Sequence, residues 1–482
     1  MADIRKSLLL SFLSRYTVSF LALASIIITA RLLTPEELGV YAIASAFILF
    51  ANEFKSLGTG TYLIRNTEIE KHNITKATGL MVVISWGAGI TIFLVSGEVG
   101  DFYQIADVSY LLKLLTFNFL VAPFISVPKS VFTRNFQFKE LLIIDITTNV
   151  FLVGATIGFI LLGHSYYSLA YAAIVGNMVE LGLVFYFRRA SIPLLPTFHG
   201  LSEIVKFGFI ITLTNVFRRL SLSSTDLIIG KLGTTTDVAI FSRGLGFLDF
   251  LYGTIKQGVN PVALPYLSKE LREGQDIQHA YLKAIALLGS VIWPTLVVAG
   301  LASYPIIIFL FGDQWEESVP IAKILCIWAF FRSIHSLSDH LLIATKNESH
   351  LLIREVVLFI LTVVAIGFSF RFGLEAIAFS ISIVSIINFL YTSILLKKLV
   401  GIEYLAFTQK VMPIILLVGV IIIEMVLLDF TIQFTSQEPI VSLSIVALTA
   451  TISWLIGIRV LNLDIYGEIE RATKSIIAKM QK

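Results

Sequence analysis

The stretch Ala30-Arg-Leu-Leu-Thr-Pro-Glu-Glu-Leu-Gly-Val-Tyr-Ala42 stands between two long apolar runs and reads as helix end, turn and helix restart. Two hundred residues later the chain repeats the pattern in Lys231-Leu-Gly-Thr-Thr-Thr-Asp-Val-Ala-Ile-Phe241. Arg31 matches Lys231, Thr34 matches Thr234, Glu37-Leu38 matches Asp237-Val238, and Val40-Tyr41 matches Ile240-Phe241. In the same register Phe47, Phe50 and Gly58 fall on Phe247, Phe250 and Gly258. Short apolar hairpins resemble one another by composition, so a chance match is the competing explanation. One register held through turn and helix favours an internal duplication, with a lobe built around each copy.

Of 482 residues, 56% are hydrophobic and only 14% charged, with a mean hydropathy of +0.86. Soluble domains carry about 25% charged residues, so the chain reads as an all-α integral membrane protein. The single Cys326 excludes an internal disulfide framework and supplies no metal-ligand set. The first apolar run, 11–30, is long enough to span and is followed by no small-residue cleavage site, so it reads as a transmembrane helix and not a signal peptide.

With about 20 apolar residues per crossing, about fourteen spans are expected. They are 11–30, 39–63, 77–97, 109–128, 141–162, 167–187, 205–230, 238–262, 282–303, 319–344, 351–370, 374–396, 411–429 and 439–458. With the N-terminus placed inside, the inner segments hold 24 of the 36 basic residues and the outer loops only Arg31, Lys231 and Arg371. That bias puts both termini in the cytoplasm. The outer loops, such as Gly97–Asp101 and Gly312–Glu317, are short and acidic. The inner segment from Tyr266 to Gln275 reads as a short interfacial helix.

The expected organisation is a six-helix lobe over 1–190, a cytoplasmic linker over 191–204 and a second six-helix lobe over 205–400. Two further spans and a cytoplasmic tail occupy 401–482. Six spans per lobe is an even number, so both lobes enter the membrane from the same side and the repeat is parallel.

With Lys206, Lys283 and Arg354, at the inner ends of their spans, counted to the inside, nine basic residues remain inside spans: Arg15, Lys55, Lys113, Arg218, Arg219, Arg243, Lys256, Lys323 and Arg332. Each costs about 2.5–3.5 kcal/mol at a helix centre, and those near span ends can snorkel to the interface. Spans one, two, seven and eight hold Arg15, Lys55, Arg218, Arg219, Arg243 and Lys256 against Glu53, Asp226 and Asp249. Six cations against three anions suit a water-filled cavity that receives an anion. Arg332 joins this candidate set. The competing account is internal pairing, either seven residues apart on one helix (Arg219–Asp226, Asp249–Lys256, Arg332–Asp339) or across helices. Glu53, Asp226, Asp249 and Asp339 are candidate proton or ion carriers. His335 is placed to titrate near neutral pH or simply to be a polar residue facing the bundle.

No G-x-x-x-x-G-K-[ST], H-E-x-x-H, Cys-x-x-Cys or Gly-x-Ser-x-Gly motif occurs, and nothing points to nucleic-acid binding, a cofactor or a catalytic metal. The inner basic loops are accounted for by topology.

The segment Ala30–Ala42, followed by Leu57-Gly-Thr-Gly-Thr-Tyr-Leu-Ile-Arg65, resembles the start of bacterial Wzx-type polysaccharide flippases. These belong to the multidrug/oligosaccharidyl-lipid/polysaccharide (MOP) exporter superfamily. The likeness is to the WzxC-like branch associated with exopolysaccharides, and it extends over nearly the whole chain. The turn Phe311-Gly-Asp-Gln-Trp315 and the segment Asn260-Pro-Val-Ala-Leu-Pro265 also carry it. The resemblance implies a V-shaped pair of six-helix lobes around a cationic cavity in the bacterial inner membrane. Such proteins move undecaprenyl-pyrophosphate-linked oligosaccharides to the outer leaflet by alternating access, coupled to H+ or Na+. Membrane lipid, a polysaccharide polymerase and export machinery are the implied partners. No strict family motif assigns Arg218 or Arg243 a role.

Two other readings remain open at this point. The related multidrug branch commonly has twelve spans, against fourteen here. A glycan polymerase or lipid-linked glycosyltransferase usually needs a large outer loop or an acidic catalytic motif, and these outer loops are short.

Overall fold

A computed structural model describes residues 2–56, 59, 63, 71–135, 137–188, 193, 195–199 and 201–480, without the side chains of 2–14, 55–56, 202–208, 261, 472–473 and 475–480. The Lys55 side chain, most of the segment 57–65, and residues 191, 192, 194 and 200 of the expected linker therefore lie outside what is described. Everything regular in the described chain is helical. In order, the helices are α1 (Ala2–Leu32), α2 (Pro35–Ser56), α3 (Lys71–Tyr103), α4 (Ala106–Leu115), α5 (Phe117–Arg134), α6 (Phe138–Leu161), α7 (Tyr167–Phe187), α8 (Ser202–Leu232) and α9 (Thr235–Arg272). There follow α10 (Ile277–Leu301), α11 (Ser303–Phe311), α12 (Ser318–Ile334), α13 (Ser338–Ala344), α14 (Glu348–Ser369), α15 (Leu374–Val400), α16 (Tyr404–Ile432), α17 (Pro439–Val460) and α18 (Asp464–Met480).

Among the described residues, thirteen helical segments are long and apolar enough to cross a membrane. They coincide with every expected span except the seventh. That one is α8, 31 residues long and about 46 Å at 1.5 Å per residue. Its length suffices, but Arg218, Arg219 and Asp226 interrupt its apolar run. Two sequence expectations are corrected. The Gly97–Asp101 loop is helical, because α3 runs on through it to Tyr103. The separate interfacial helix from Tyr266 is instead the end of α9, which continues to Arg272 and stops before Gly274, a glycine with positive φ.

The two copies of the opening motif are the same local structure. In the first, the Thr34 N–H donates to Glu37 Oε2 at 2.8 Å, while the Glu37 N–H donates to Thr34 Oγ1 at 3.3 Å. In the second, the Thr234 N–H donates to Asp237 Oδ2 at 2.8 Å, and the Asp237 N–H to Thr234 Oγ1 at 3.1 Å. Each is a reciprocal capping box that satisfies otherwise orphaned donors at a helix start. Pro35 adds a preset φ at the first turn of α2.

By packing the chain divides into two compact units. The first comprises 1–242 and 355–363, the second 243–354 and 364–482. The core of the first unit joins α3, α5, α6 and α7 through Met81, Val121, Ile125, Phe132, Ile144 and Val184. Within it, α2 lies so close to the start of α9 that a Cβ on Gly39 would sit 1.8 Å from the Thr235 carbonyl oxygen. The second unit is centred on Tyr281, Trp293, Phe311, Trp315 and Phe434, all nearly inaccessible.

Both units contain a proline inside a spanning helix, and both resolve it through another helix. Pro123 in α5 has no N–H for the Phe119 carbonyl, and the Ser85 hydroxyl of α3 donates to that oxygen at 2.7 Å. Pro294 in α10 likewise frees the Ser290 carbonyl, which accepts from the Trp454 indole of α17 at 2.7 Å. In lipid no water takes such an acceptor, so a neighbouring side chain must.

Candidate functional site

Helix α8 places two guanidinium groups in succession. Arg219 Nε lies 3.3 Å from Glu53 Oε1 on α2, and Arg218 Nη2 lies 3.4 Å from Glu355 Oε1 on α14. Close charge-assisted pairs run about 2.7–2.9 Å, so both contacts are loose. Arg219 uses only Nε, and its two Nη groups make no hydrogen bond among the described residues. Its side chain and that of Arg218 are about one-third accessible (34% and 33%), which leaves the guanidinium faces reachable. Glu355 was absent from the count by spans because it comes from the eleventh. It gives Arg218 a carboxylate as Glu53 does Arg219.

The remaining candidates fall into distinct settings. Arg15 is exposed on α1. Asp226, on α8, accepts a hydrogen bond from the Ser242 hydroxyl in the same unit. In the second unit Asp249 and Arg332 form a 2.6 Å ion pair between α9 and α12. Tyr252 and Trp328 flank that guanidinium with ring centroids 5.2 and 4.8 Å away. Lys256 lies one turn beyond Tyr252 on α9, 5.5 Å from its ring, and has no carboxylate partner among the described residues. Arg243 rests against Phe311 and Trp315 at 4.6 and 4.3 Å, with a buried Nε that makes no hydrogen bond among the described residues. Cation–π contact gives a charge partial compensation in apolar surroundings.

Two of the expected ion carriers are held by structure. Asp339 pairs at 2.6 Å with Arg354, whose Nη1 also donates to Ser338. His335 sits at the break between α12 and α13, its ring nitrogens 3.1 Å from the Tyr281 hydroxyl and 2.8 Å from the Ser393 hydroxyl. Phe389 stacks on the imidazole at 5.5 Å. The ion pairs of Arg219 with Glu53, Asp249 with Arg332 and Asp339 with Arg354 each join two helices.

A further cluster escaped the reading of the sequence. Lys129 Nζ bridges Asp145 Oδ1 at 2.8 Å and Glu180 Oε1 at 2.6 Å, joining α5, α6 and α7. Topology had assigned Lys129 to an inner loop, and the carboxylates of spans five and six were not weighed. A tally of acids in every span would have found both.

Among the described residues, no three His, Cys, Asp or Glu side chains converge as a metal site. The family model for polysaccharide biosynthesis proteins matches residues 28–320. The chain belongs to that family. As a polysaccharide biosynthesis protein it is 23% identical over 339 residues to the lipopolysaccharide biosynthesis protein WzxC of Escherichia coli (strain K12), covering 67% of this chain and 66% of the relative. It is 20% identical over 403 residues to the teichuronic acid biosynthesis protein TuaB of Bacillus subtilis (strain 168), covering 83% of each. The WzxC-like resemblance in the sequence is thus matched by WzxC itself. This polysaccharide biosynthesis protein shares its fold with the lipid II flippase MurJ in an inward closed conformation. The TM-score is 0.70 at 17% identity, covering 94% of this chain and 98% of that one. An inward-facing multidrug transporter of the MOP superfamily follows with a TM-score of 0.65 at 16% identity, covering 81% and 99%. The fold is the one that the MurJ flippase and a MOP-superfamily multidrug transporter share.

Proposed function

We propose that this polysaccharide biosynthesis protein is a lipid-linked oligosaccharide flippase. It carries undecaprenyl-pyrophosphate-linked repeat units from the inner to the outer leaflet of the bacterial inner membrane by alternating access, with both termini cytoplasmic. The single observation carrying the reading is the arginine pair of α8. Arg219 engages Glu53 through Nε alone, at 3.3 Å, with its two Nη donors unspent among the described residues. A planar guanidinium fork matches phosphate oxygens bidentately. In the empty state Glu53 and Glu355 offset the cost of holding two cations in a bundle; an arriving diphosphate exchanges for them.

Arg218 and Arg219 thus hold the diphosphate. Arg243, Lys256 and Arg332 are the further substrate-binding cations of the other unit, and Arg15 contributes from α1. Glu53, Asp226 and Asp249 are the carboxylates assigned to H+ or Na+ coupling. The duplication divides the chain at 191–204, with the two spans after residue 400 added to the repeats. The name of the relative ExoT of Rhizobium meliloti (strain 1021), a succinoglycan biosynthesis transport protein, supports transport of a glycan.

Export in a flippase-deficient strain tests this. R219A leaves Glu53 unpaired, whereas E53Q/R219Q removes both charges and keeps the packing. Loss of export in both, with E53Q/R219Q present at normal levels in the membrane, is the expected result. Restored export in E53Q/R219Q would reduce the arginine to a structural partner and overturn the site. A protein that restores drug efflux and not glycan export would instead be a multidrug exporter.

A further inference from the structure

Along one face of α5, Asn118, Ser126 and Lys129 meet Asn177 and Glu180 of α7 around a trough of about 330 Å³. Ala122 and Ile125 form its apolar floor. Positions 118, 122, 125, 126 and 129 recur at helical spacing, so the trough follows α5 for about 16 Å at 1.5 Å per residue.

Its polar lining is partly spent and partly idle. Lys129 is committed to Asp145 and Glu180. The side chains of Asn177 and Ser126 make no hydrogen bond among the described residues. A carboxamide and a hydroxyl each offer donor and acceptor capacity, the pairing that a sugar hydroxyl offers in return. Idle groups of this kind within a helix bundle cost free energy unless something in the cavity answers them. One end of the trough is tied to α2, the helix that carries Glu53. The Asn118 amide donates to Asn52 at 3.3 Å, and Asn52 precedes Glu53, the partner of Arg219, on α2.

We infer that this trough is a subsite for an uncharged, hydroxyl-bearing sugar ring. It adjoins α2, whose Glu53 is the partner of Arg219, through the Asn118–Asn52 hydrogen bond. The inference rests on the flippase reading for its role in transport, but binding of sugar is a property of the trough alone. Charge sets its selectivity. The Glu180 carboxylate lines the trough and repels an acidic ring at short range. Hydroxyls and acetamido groups meet no such opposition. Concave sites that combine an apolar floor with a few convergent polar groups are the usual form of small-molecule pockets.

Saturation-transfer NMR on the purified full-length protein in detergent tests the inference, with methyl glucoside, methyl N-acetylglucosaminide and methyl glucuronide as probes. The two neutral glycosides should receive saturation at least fivefold more strongly than the glucuronide. Asn177→Leu and Ser126→Val, which leave the Lys129 cluster in place, should each remove most of that signal without lowering the melting temperature. Equal signals from all three glycosides, or neutral-sugar signals unchanged in both variants, would overturn the subsite. If the wild-type protein binds none of the probes yet supports glycan export, the subsite falls and the flippase reading stands. If neutral sugars bind as expected but export fails in the deficient strain, the flippase reading falls and the trough stands.

Discussion

The carbonyl oxygen of Thr235 lies where a side chain on Gly39 would begin, 1.8 Å from an ideal Cβ. The two residues belong to the two copies of the hairpin motif, so each copy's helix start lies against the other's. The obstacle is backbone, which cannot turn aside as a flexible side chain would. Gly39→Ala should therefore force α2 away from the start of α9 and cost about 1–3 kcal/mol, the usual range for overpacking. Thermal unfolding in detergent measures this, with Gly154→Ala in α6 as the control because its Cβ meets nothing within 4 Å. Equal melting temperatures in the two variants would contradict the close approach.

The Ser85–Phe119 bond makes a second prediction through a double-mutant cycle. Ser85→Ala strands the carbonyl that Pro123 has freed and should cost about 1–3 kcal/mol. Restoring an N–H with Pro123→Ala gives that carbonyl a partner inside α5. The Ser85→Ala penalty should then shrink to less than half in the Pro123→Ala background. A penalty of the same size in both backgrounds would show that the hydroxyl acts otherwise.

Lys129 holds two carboxylates, and its removal takes that cation from both. Lys129→Met should destabilise by about 3 kcal/mol, the lower end for breaking a buried ion pair, since all three side chains keep some access to solvent. Neutralising the whole cluster as Lys129→Met/Asp145→Asn/Glu180→Gln should recover most of that loss in a thermal melt. Failure to recover would mean that Lys129 packs for reasons other than charge.

His335 and Asp339 look like proton carriers in the sequence and are expected to be structural. Both ring nitrogens of His335 are taken by hydroxyls. Asp339 is locked to Arg354, of which only 6% of the side chain is accessible. His335→Gln should lose about 1 kcal/mol per broken hydrogen bond, and Asp339→Asn about 3–5 kcal/mol. Neither should move the pH optimum of transport measured in proteoliposomes. A shifted optimum with an unchanged melting temperature would return the residue to the coupling pathway.

The helices and the repeat are legible because apolar length and local capping chemistry are written in adjacent residues. Thr34 with Glu37, and Thr234 with Asp237, match by residue type and spacing alone. Helix ends are less legible. Gly97 to Asp101 reads as polar loop although α3 continues through it, since polarity marks where a membrane ends and not where a helix does. The site is legible only in its cations. Arg218 and Arg219 stand out in an apolar run, but their partners Glu355 and Glu53 lie 137 and 166 residues away. Which carboxylate meets which arginine is decided by tertiary packing, and that pairing has no local signature.

The bond between the Trp454 indole and the Ser290 carbonyl joins residues separated by most of the second half of the chain. During synthesis Ser290 emerges long before Trp454 exists. From its entry into lipid until α17 arrives, α10 therefore carries a backbone acceptor that Pro294 has released and that its final partner cannot yet meet. The closing helices are thus more than an appendage to a finished bundle. A chain stopped short of Trp454 keeps an unhealed break in α10, and the membrane's quality-control proteases have a defect by which to tell it from the complete protein.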